Sequence, residues 1–201
     1  MTKLRVSATA RSASGLALLA ALMLPPLRPA LESSMSLHML VQYPALLLAG
    51  ALLAAAVPRG ARTRLAAWNA LGISGLAACA LFLAVLMIPR VLDLALFDAR
   101  VGAAKAAALL FAGAVLLPSW RAAGLVVQGF FLGNVLPMMV IVGTLYQDSP
   151  VRLCNAYRLD DQQQLGQGLV WLAIVVAVAW LVHAGRRMTS TEAAPERPIE
   201  I

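Results

Sequence analysis

The chain has 201 residues, of which 61% are hydrophobic and 12% charged, and its mean hydropathy is +0.82. Soluble domains carry about 25% charged residues, and a chain this apolar would expose too much hydrophobic surface to water. The composition therefore excludes an ordinary soluble domain and predicts a lipid bilayer as the surroundings. The net charge of +7 does not indicate nucleic-acid binding, because no basic stripe interleaved with aromatic residues accompanies it.

The apolar runs predict helices rather than barrel strands, because each lasts roughly 20 residues and is rich in Ala and Leu. We predict an all-α, polytopic membrane helix bundle of about six transmembrane helices. The predicted spans are residues 14–29, 35–57, 65–88, 102–118, 122–146 and 165–184. Residues 1–185 form one transmembrane domain in this interpretation, and residues 186–201 form a polar, disordered cytoplasmic tail.

The first span, SGLALLAALMLPPLRP, follows three basic residues and has a signal peptide as its alternative interpretation. We interpret it as a retained helix, because no clean small-x-small cleavage site follows it. Six spans place both termini on one side, together with ten of the 16 basic residues. The positive-inside rule then predicts cytoplasmic termini, and it places the loops near 30, 90–101 and 147–163 outside.

The second span opens with SMSLHMLVQYP, which holds one of only two histidines in the chain. Met35, His38, Met39 and Gln42 are spaced to share one face of a helix. Thioether and imidazole are ligands that suit Cu(I), so Met35, His38 and Met39 are candidate metal ligands. The alternatives are that methionine fills apolar gaps and that His38 bonds a neighbouring helix. The other predicted outer-half methionines are Met23, Met87, Met138 and Met139.

The two cysteines lie in different settings, Cys79 in the third span and Cys154 in a polar loop, where we expect it to be exposed. We predict no disulfide between them. The segment RVLDLALFDAR, 90–100, is predicted to be an outer loop. The fourth span carries Lys105 near its start, and we expect this side chain to reach out to the membrane interface.

Small and polar residues in the later spans are candidates for helix packing or partner contact. Gly129, Gly133 and Asn134 follow a small-xxx-small pattern with an amide beside it, although glycine is common in membrane helices anyway. The outer loop 147–163 is a candidate docking surface. Asp160 and Asp161 also suit a helix N-terminus, where carboxylates offset the dipole, and we favour this role for at least one of them.

Catalysis has little support, because His38 and His183 are predicted at opposite ends of spans about 30 Å long. No nucleophile, base and orienting group converge, so we predict that the chain is not an enzyme. A transporter is also disfavoured. The only polar candidates within the spans are the amides Asn69, Gln128 and Asn134.

Three stretches in a fixed order resemble the CtaG-type family of cytochrome c oxidase assembly factors. SMSLHML resembles the family's histidine-bearing helix start, and IPRVLDLALFD resembles its Pro-Arg-x-x-Asp-Leu outer loop. LDDQQQLGQGLVW resembles its Asp-Gln-x-x-x-Gly motif, here Asp161, Gln162 and Gly166, with Trp171 following. These three residues are further candidates for partner or packing contacts. The matches span roughly residues 15–185.

The resemblance implies a multi-pass bacterial inner-membrane protein that matures a haem–copper oxidase, with copper handling as one route. The chain departs from the family pattern at Gln42, where a second histidine is expected, and in VGAAKAAALLF, which lacks further histidines. Two functions follow. One is an oxidase assembly factor with at most a weak Cu(I) site, and the other is a cofactor-free accessory or scaffold subunit that docks with other membrane subunits.

Overall fold

The computed structural model describes residues 7–192, and within that range the chain is helical with no strand. The all-α prediction is therefore confirmed. The helices in chain order are α1 (Ala8–Met23), α2 (Leu27–Glu32), α3 (Met35–Ala56), α4 (Arg59–Trp68), α5 (Ile73–Leu86), α6 (Pro89–Phe97), α7 (Ala99–Ala122), α8 (Leu125–Asp148) and α9 (Leu159–Glu192).

Several helices are long and apolar enough to cross a bilayer, so the chain is a membrane protein. In residues 7–192, α3, α7, α8 and α9 meet this test alone, and the bent pair α4–α5 adds a fifth span if it is counted as one. Helix α1 is apolar but has only 16 residues. Six spans stay a prediction.

The predicted continuous span 65–88 is wrong, because the chain bends by 83° between α4 and α5. Gly72 makes the bend with a φ of 73°, a conformation that glycine adopts without steric cost. The Asn69 side chain stabilises the bend, since its Oδ1 accepts a hydrogen bond from Gly75 N and its Nδ2 donates to Ser119 Oγ at 2.7 Å. Helix α4 therefore turns away from α5, and it ends at Trp68, which is 87% exposed.

Three other predicted segments are also corrected. The segment 90–100 is largely helical, because Pro89 at the first helical position favours α6 and Asp98 Oδ1 caps α7 by accepting from Arg100 N. The predicted tail begins as helix, since α9 continues to Glu192. Residues 193–201 lie outside the described residues. The predicted outer loop 147–163 shortens to residues 149–158, between α8 and α9.

Glycines bring two helix pairs into close backbone contact. A Cβ added at Gly50 of α3 would collide with the backbone of Leu110 in α7, and one at Gly113 would collide with that of Leu47. Helices α8 and α9 approach in the same way at Gly143 and Gly166, one of the predicted packing residues.

The three predicted packing residues of α8 have different surroundings. Gly129 faces the Trp180 ring, whereas the space around Gly133 is open. Asn134 is exposed and donates to Phe130 O in its own helix. The buried face of α8 runs instead through Leu132, Val135 and Met139. In the described part of the chain, Asn134 bonds its own helix and a Cβ added at Gly133 would meet nothing within 4 Å, so the packing or partner role of these two residues stays a prediction.

Polar side chains gather at one end of the bundle, which we call the polar end. It consists of residues 24–38, 87–105 and 146–163, and side-chain contacts between these three stretches join them. The outward faces of the spanning helices are apolar, with Val126 and Phe130 among the most exposed residues. These faces suit contact with lipid.

Candidate functional site

A buried lysine is the centre of the polar end. Lys105 lies in the second turn of α7 and is 4% exposed. Its Nζ donates to Glu32 Oε1 at 3.3 Å, to Gln42 Oε1 at 3.3 Å and to His38 Nε2 at 2.6 Å. The prediction that Lys105 reaches out to the interface is therefore wrong, because its three donors find acceptors inside the bundle.

His38 is fully buried and has a hydrogen-bond partner at each ring nitrogen. A lysine ammonium has no lone pair, so Nε2 must accept from Lys105. Nδ1 then carries the proton and donates to the Tyr157 hydroxyl oxygen at 2.6 Å. The rings of Tyr43 and Tyr157 meet His38 edge to face, with centroids 5.4 and 6.2 Å away. These contacts fix the orientation of the imidazole.

Glu32 supplies the negative charge of the cluster from the last residue of α2. Its carboxylate pairs with Lys105 at 3.3 Å and with Arg28 Nε at 3.2 Å, and it accepts from Gln42 Nε2 at 3.4 Å. Burial raises the pKa of Glu32, but Lys105 and Arg28 outweigh it and hold the pKa below its ordinary value. Two cations and one carboxylate give the cluster a net charge of one positive unit.

The start of α3 is widened into a π-helical turn over His38–Gln42, which Tyr43 N closes by donating to His38 O. Such turns occur as single insertions in α-helices, often at functional sites. His38 and Gln42 lie one turn apart and both contact Lys105. Met35 and Met39, the other members of the predicted face, are buried in the apolar core.

A cavity of about 120 Å³ adjoins the cluster. Glu32, Gln42 and Lys105 line one side, and the small side chains of Ala99 and Ala106 in α7 leave the space open. Because a water molecule occupies about 30 Å³ in the liquid, this volume has room for a few waters or for a small ion.

Two acidic residues of the motifs bind backbone instead of other charges. The Asp161 carboxylate, on the first turn of α9, accepts from Ser34 Oγ at 2.8 Å and from Met35 N, and so caps the start of α3. Asp93 of α6 accepts from Asn155 N at 2.8 Å and from Ala156 N at 3.2 Å. Each carboxylate thus joins its helix to a distant segment of the polar end.

Gln162 has the same role and is 1% exposed. Its Oε1 accepts from Leu153 N at 2.8 Å, and its Nε2 donates to Tyr146 O at 3.2 Å. The amide therefore connects the 149–158 loop with the end of α8. The neighbouring Asp160 is exposed and pairs with Arg158 at the surface.

The donor set at His38 does not fit copper as it stands. Both ring nitrogens are engaged, and the Lys105 ammonium occupies the point where the acceptors converge. Among residues 7–192, no group of three or more His, Cys, Asp or Glu side chains could hold a metal ion. The site of greatest polarity thus contains a cation that the chain itself supplies.

The cysteines are both free and buried. The expectation that Cys154 is exposed is wrong, since it packs under the loop against Pro89 O, with Sγ at 3.7 Å. Burial and the nearby Asp93 carboxylate raise the pKa of the Cys154 thiol to about 12. Cys79 lies in α5 and donates to Ala112 O.

The amides considered for transport have structural partners at the opposite end. Gln128 donates to Trp120 O at 3.0 Å and to Ala123 O at 3.2 Å, and it accepts from Trp180 Nε1 at 3.3 Å. Asn69 stabilises the bend described above. These bonds satisfy polar groups at the α7–α8 and α4–α5 connections.

Sequence reasoning found His38, Gln42, Asp161 and Gln162, but it missed the partners of His38. Lys105 carried a usable signal, because a lysine inside an apolar span costs free energy unless something inside the protein pairs with it. Glu32 and Tyr157 carried no such signal. Comparison of the chain with protein-family models, with curated proteins and with solved structures found no match.

Proposed function

We propose that this chain is a cofactor-free accessory or assembly factor of a membrane protein complex, and that it presents the polar end to its partner. The motif resemblance makes a haem–copper respiratory oxidase the first candidate partner and the bacterial inner membrane the location. The observation that carries the proposal is that each of the three motif stretches contributes to the contacts of the polar end, Ser34 and Asp161 by bonding each other and Asp93 by bonding the 149–158 loop.

The motif residues stabilise the backbone conformation of the polar end. Asp93 and Asp161 bind backbone atoms 62 and 126 positions away in the chain. Gln162 binds backbone atoms of the loop and the helix that directly precede α9. His38 joins α3 to the 149–158 loop through Tyr157. Residues in such roles hold irregular backbone in one conformation, as a docking surface requires, because ordering a loop on binding costs affinity.

The fixed loop carries side chains that are available for a partner. Val151 is 62% exposed, and Arg152 beside it is also exposed. The backbone that directly follows them, at Leu153 and Asn155, is held by Gln162 and Asp93. An apolar residue next to a cation on a rigid loop suits a protein surface with an apolar pocket and an acidic rim.

Deletion and complementation test this function. In a strain that lacks the gene, we expect haem–copper oxidase activity and assembled oxidase on native gels to fall, and the wild-type chain to restore both. Val151→Asp with Arg152→Glu should fail to restore them although the protein accumulates normally in membranes. Arg158→Ala, which changes another exposed charge nearby, is the matched control and should complement.

Oxidase subunits should co-purify with the tagged wild-type chain and with Arg158→Ala, but not with the Val151/Arg152 variant. Oxidase that assembles at wild-type levels in the deletion strain would refute the oxidase as partner. Full complementation by the Val151/Arg152 variant would refute the loop as the docking surface.

A further inference from the structure

We propose that Glu32, His38 and Gln42 form a cation site whose resident ion is the Lys105 ammonium, so that the wild-type chain takes up no metal there. Removal of the ammonium should convert the same three side chains into a site for a transition-metal cation such as Zn²⁺. The proposal concerns the purified chain and does not depend on which partner it serves.

Three acceptors of different chemistry converge on one atom. A carboxylate oxygen, an imidazole nitrogen and an amide oxygen lie 3.3, 2.6 and 3.3 Å from Lys105 Nζ. They come from α2 and from both ends of the π-helical turn, so the acceptors are assembled by the fold. Carboxylate and imidazole are ligands that proteins use for Zn²⁺. The ammonium has three donors, and this set uses them all.

Burial makes a cation at this point necessary. His38 and Gln42 are fully buried, and the Glu32 side chain is 13% exposed. Acceptors held this closely in an apolar bundle are stable only when donors or a positive charge complete them. A metal ion at the same point would face the ammonium at a few ångströms in a medium of low dielectric, where like charges repel strongly. The ammonium and a metal ion therefore exclude each other.

The structure also provides space for the exchange. The 120 Å³ cavity borders Glu32, Gln42 and Lys105. Shortening Lys105 to alanine enlarges this cavity and leaves the three acceptors on helices that keep their other contacts. The space admits a metal ion with one or two water ligands, and the Glu32 and Gln42 side chains would close on it from 3.3 Å to the roughly 2.0–2.2 Å of a Zn²⁺–oxygen bond.

The experiment measures metal bound to the purified full-length chain in detergent. Wild type, His38→Ala, Lys105→Ala and the Lys105→Ala/His38→Ala double variant are dialysed against Zn²⁺, and separately against Cu(I) under reducing conditions with a competing chelator. Bound metal is determined by elemental analysis. We expect wild type and His38→Ala to hold the same background amount, and Lys105→Ala to bind about one additional Zn²⁺ per chain. The double variant should lose that ion.

Thermal unfolding provides the second measurement. Zn²⁺ should raise the Tm of Lys105→Ala and leave that of wild type unchanged. Methylammonium, a small cation that resembles the missing group, should also raise the Tm of Lys105→Ala, whereas uncharged ethanol should not.

Two results would overturn the proposal. One is wild-type protein that holds about one Cu(I) or Zn²⁺ lost on His38→Ala. The other is a folded Lys105→Ala variant that binds no more metal than the double variant. If Lys105→Ala does not fold, the comparison of wild type with His38→Ala still tests the proposal. Metal that is bound by wild type and lost in His38→Ala would contradict it, because the resident ammonium excludes a metal ion from this site.

Discussion

The Asp161→Ala variant tests whether the polar end is held together by side chains that bind distant backbone. Asp161 lies in α9 and reaches the start of α3, 127 positions earlier in the chain. Its carboxylate accepts from Ser34 Oγ at 2.8 Å and from Met35 N, with weaker bonds from Ser36 N at 3.4 Å and Ser36 Oγ at 3.2 Å. Alanine removes all four bonds and leaves a buried helix start without its acceptor.

The expected loss follows from the two short bonds. A hydrogen bond to a charged group contributes about 1.5–3 kcal/mol net, so two of them at the low end give about 3 kcal/mol. The longer bonds from Ser36 are left out of this sum, because their geometry is weak. We therefore expect Asp161→Ala to lower the free energy of unfolding by about 3 kcal/mol, and Asp161→Asn, which retains an acceptor, to lower it by about half as much.

The assay is unfolding by titration of SDS into mixed micelles, followed by far-UV circular dichroism. Asp160→Ala is the matched control, since Asp160 adjoins Asp161 in the first turn of α9 but pairs only with Arg158 at the surface. Exposed pairs contribute about 0–1 kcal/mol. If the carboxylates acted only on the dipole of α9, the two alanine variants would be similar. Equal losses would therefore refute the assignment of Asp161 as the cap of α3.

Three further predictions concern other parts of the bundle. Gly113→Ala should destabilise by about 1–3 kcal/mol because its Cβ meets backbone, while Gly133→Ala, with nothing within 4 Å, should stabilise by up to about 1 kcal/mol in the same SDS titration. Lys105 and Arg28 hold the pKa of Glu32 below its ordinary value of 4.5. The ionised carboxylate therefore contributes its full stabilisation of the fold above pH 4.5, and this contribution is lost as the pH falls through the folded pKa. Between pH 7 and 3 the Tm should accordingly drop less steeply in Glu32→Gln than in wild type. In a Cys79→Ser background, Cys154 should resist N-ethylmaleimide at pH 7 until the protein unfolds, because its pKa of about 12 leaves little thiolate; rapid labelling of folded protein, seen by mass spectrometry, would contradict its burial.

The fold class was predictable because long apolar runs indicate membrane helices without any knowledge of tertiary contacts. The bend between α4 and α5 was missed because the apolar run continues across it. The sequence Asn69-Ala-Leu-Gly72 nevertheless carried turn residues, and a glycine at positive φ with an asparagine nearby is a recurrent helix break. At this point local turn chemistry therefore decides the backbone, although the hydropathy favours a continuous helix.

The candidate site was only half predictable for a different reason. The shared face of His38 and Gln42 follows from helical spacing, and both are buried. The pairing of Glu32 with Lys105 joins residues 73 positions apart and depends on how α2 packs against α7, which periodicity does not specify. The resemblance in the motifs pointed only to imidazoles that this chain lacks, whereas the structure shows a lysine at the point where the acceptors meet.

The motif residues also indicate how this protein would recognise a partner. Irregular backbone near a bilayer must have its polar groups satisfied by the protein, and Asp93, Asp161 and Gln162 do so at the polar end through backbone N–H groups. None of them is exposed for direct contact. Asp93 and Gln162 therefore hold the backbone of the 149–158 loop, and Asp161 holds the start of α3. Under the proposed function, the exposed residues on that loop are the ones that contact the partner.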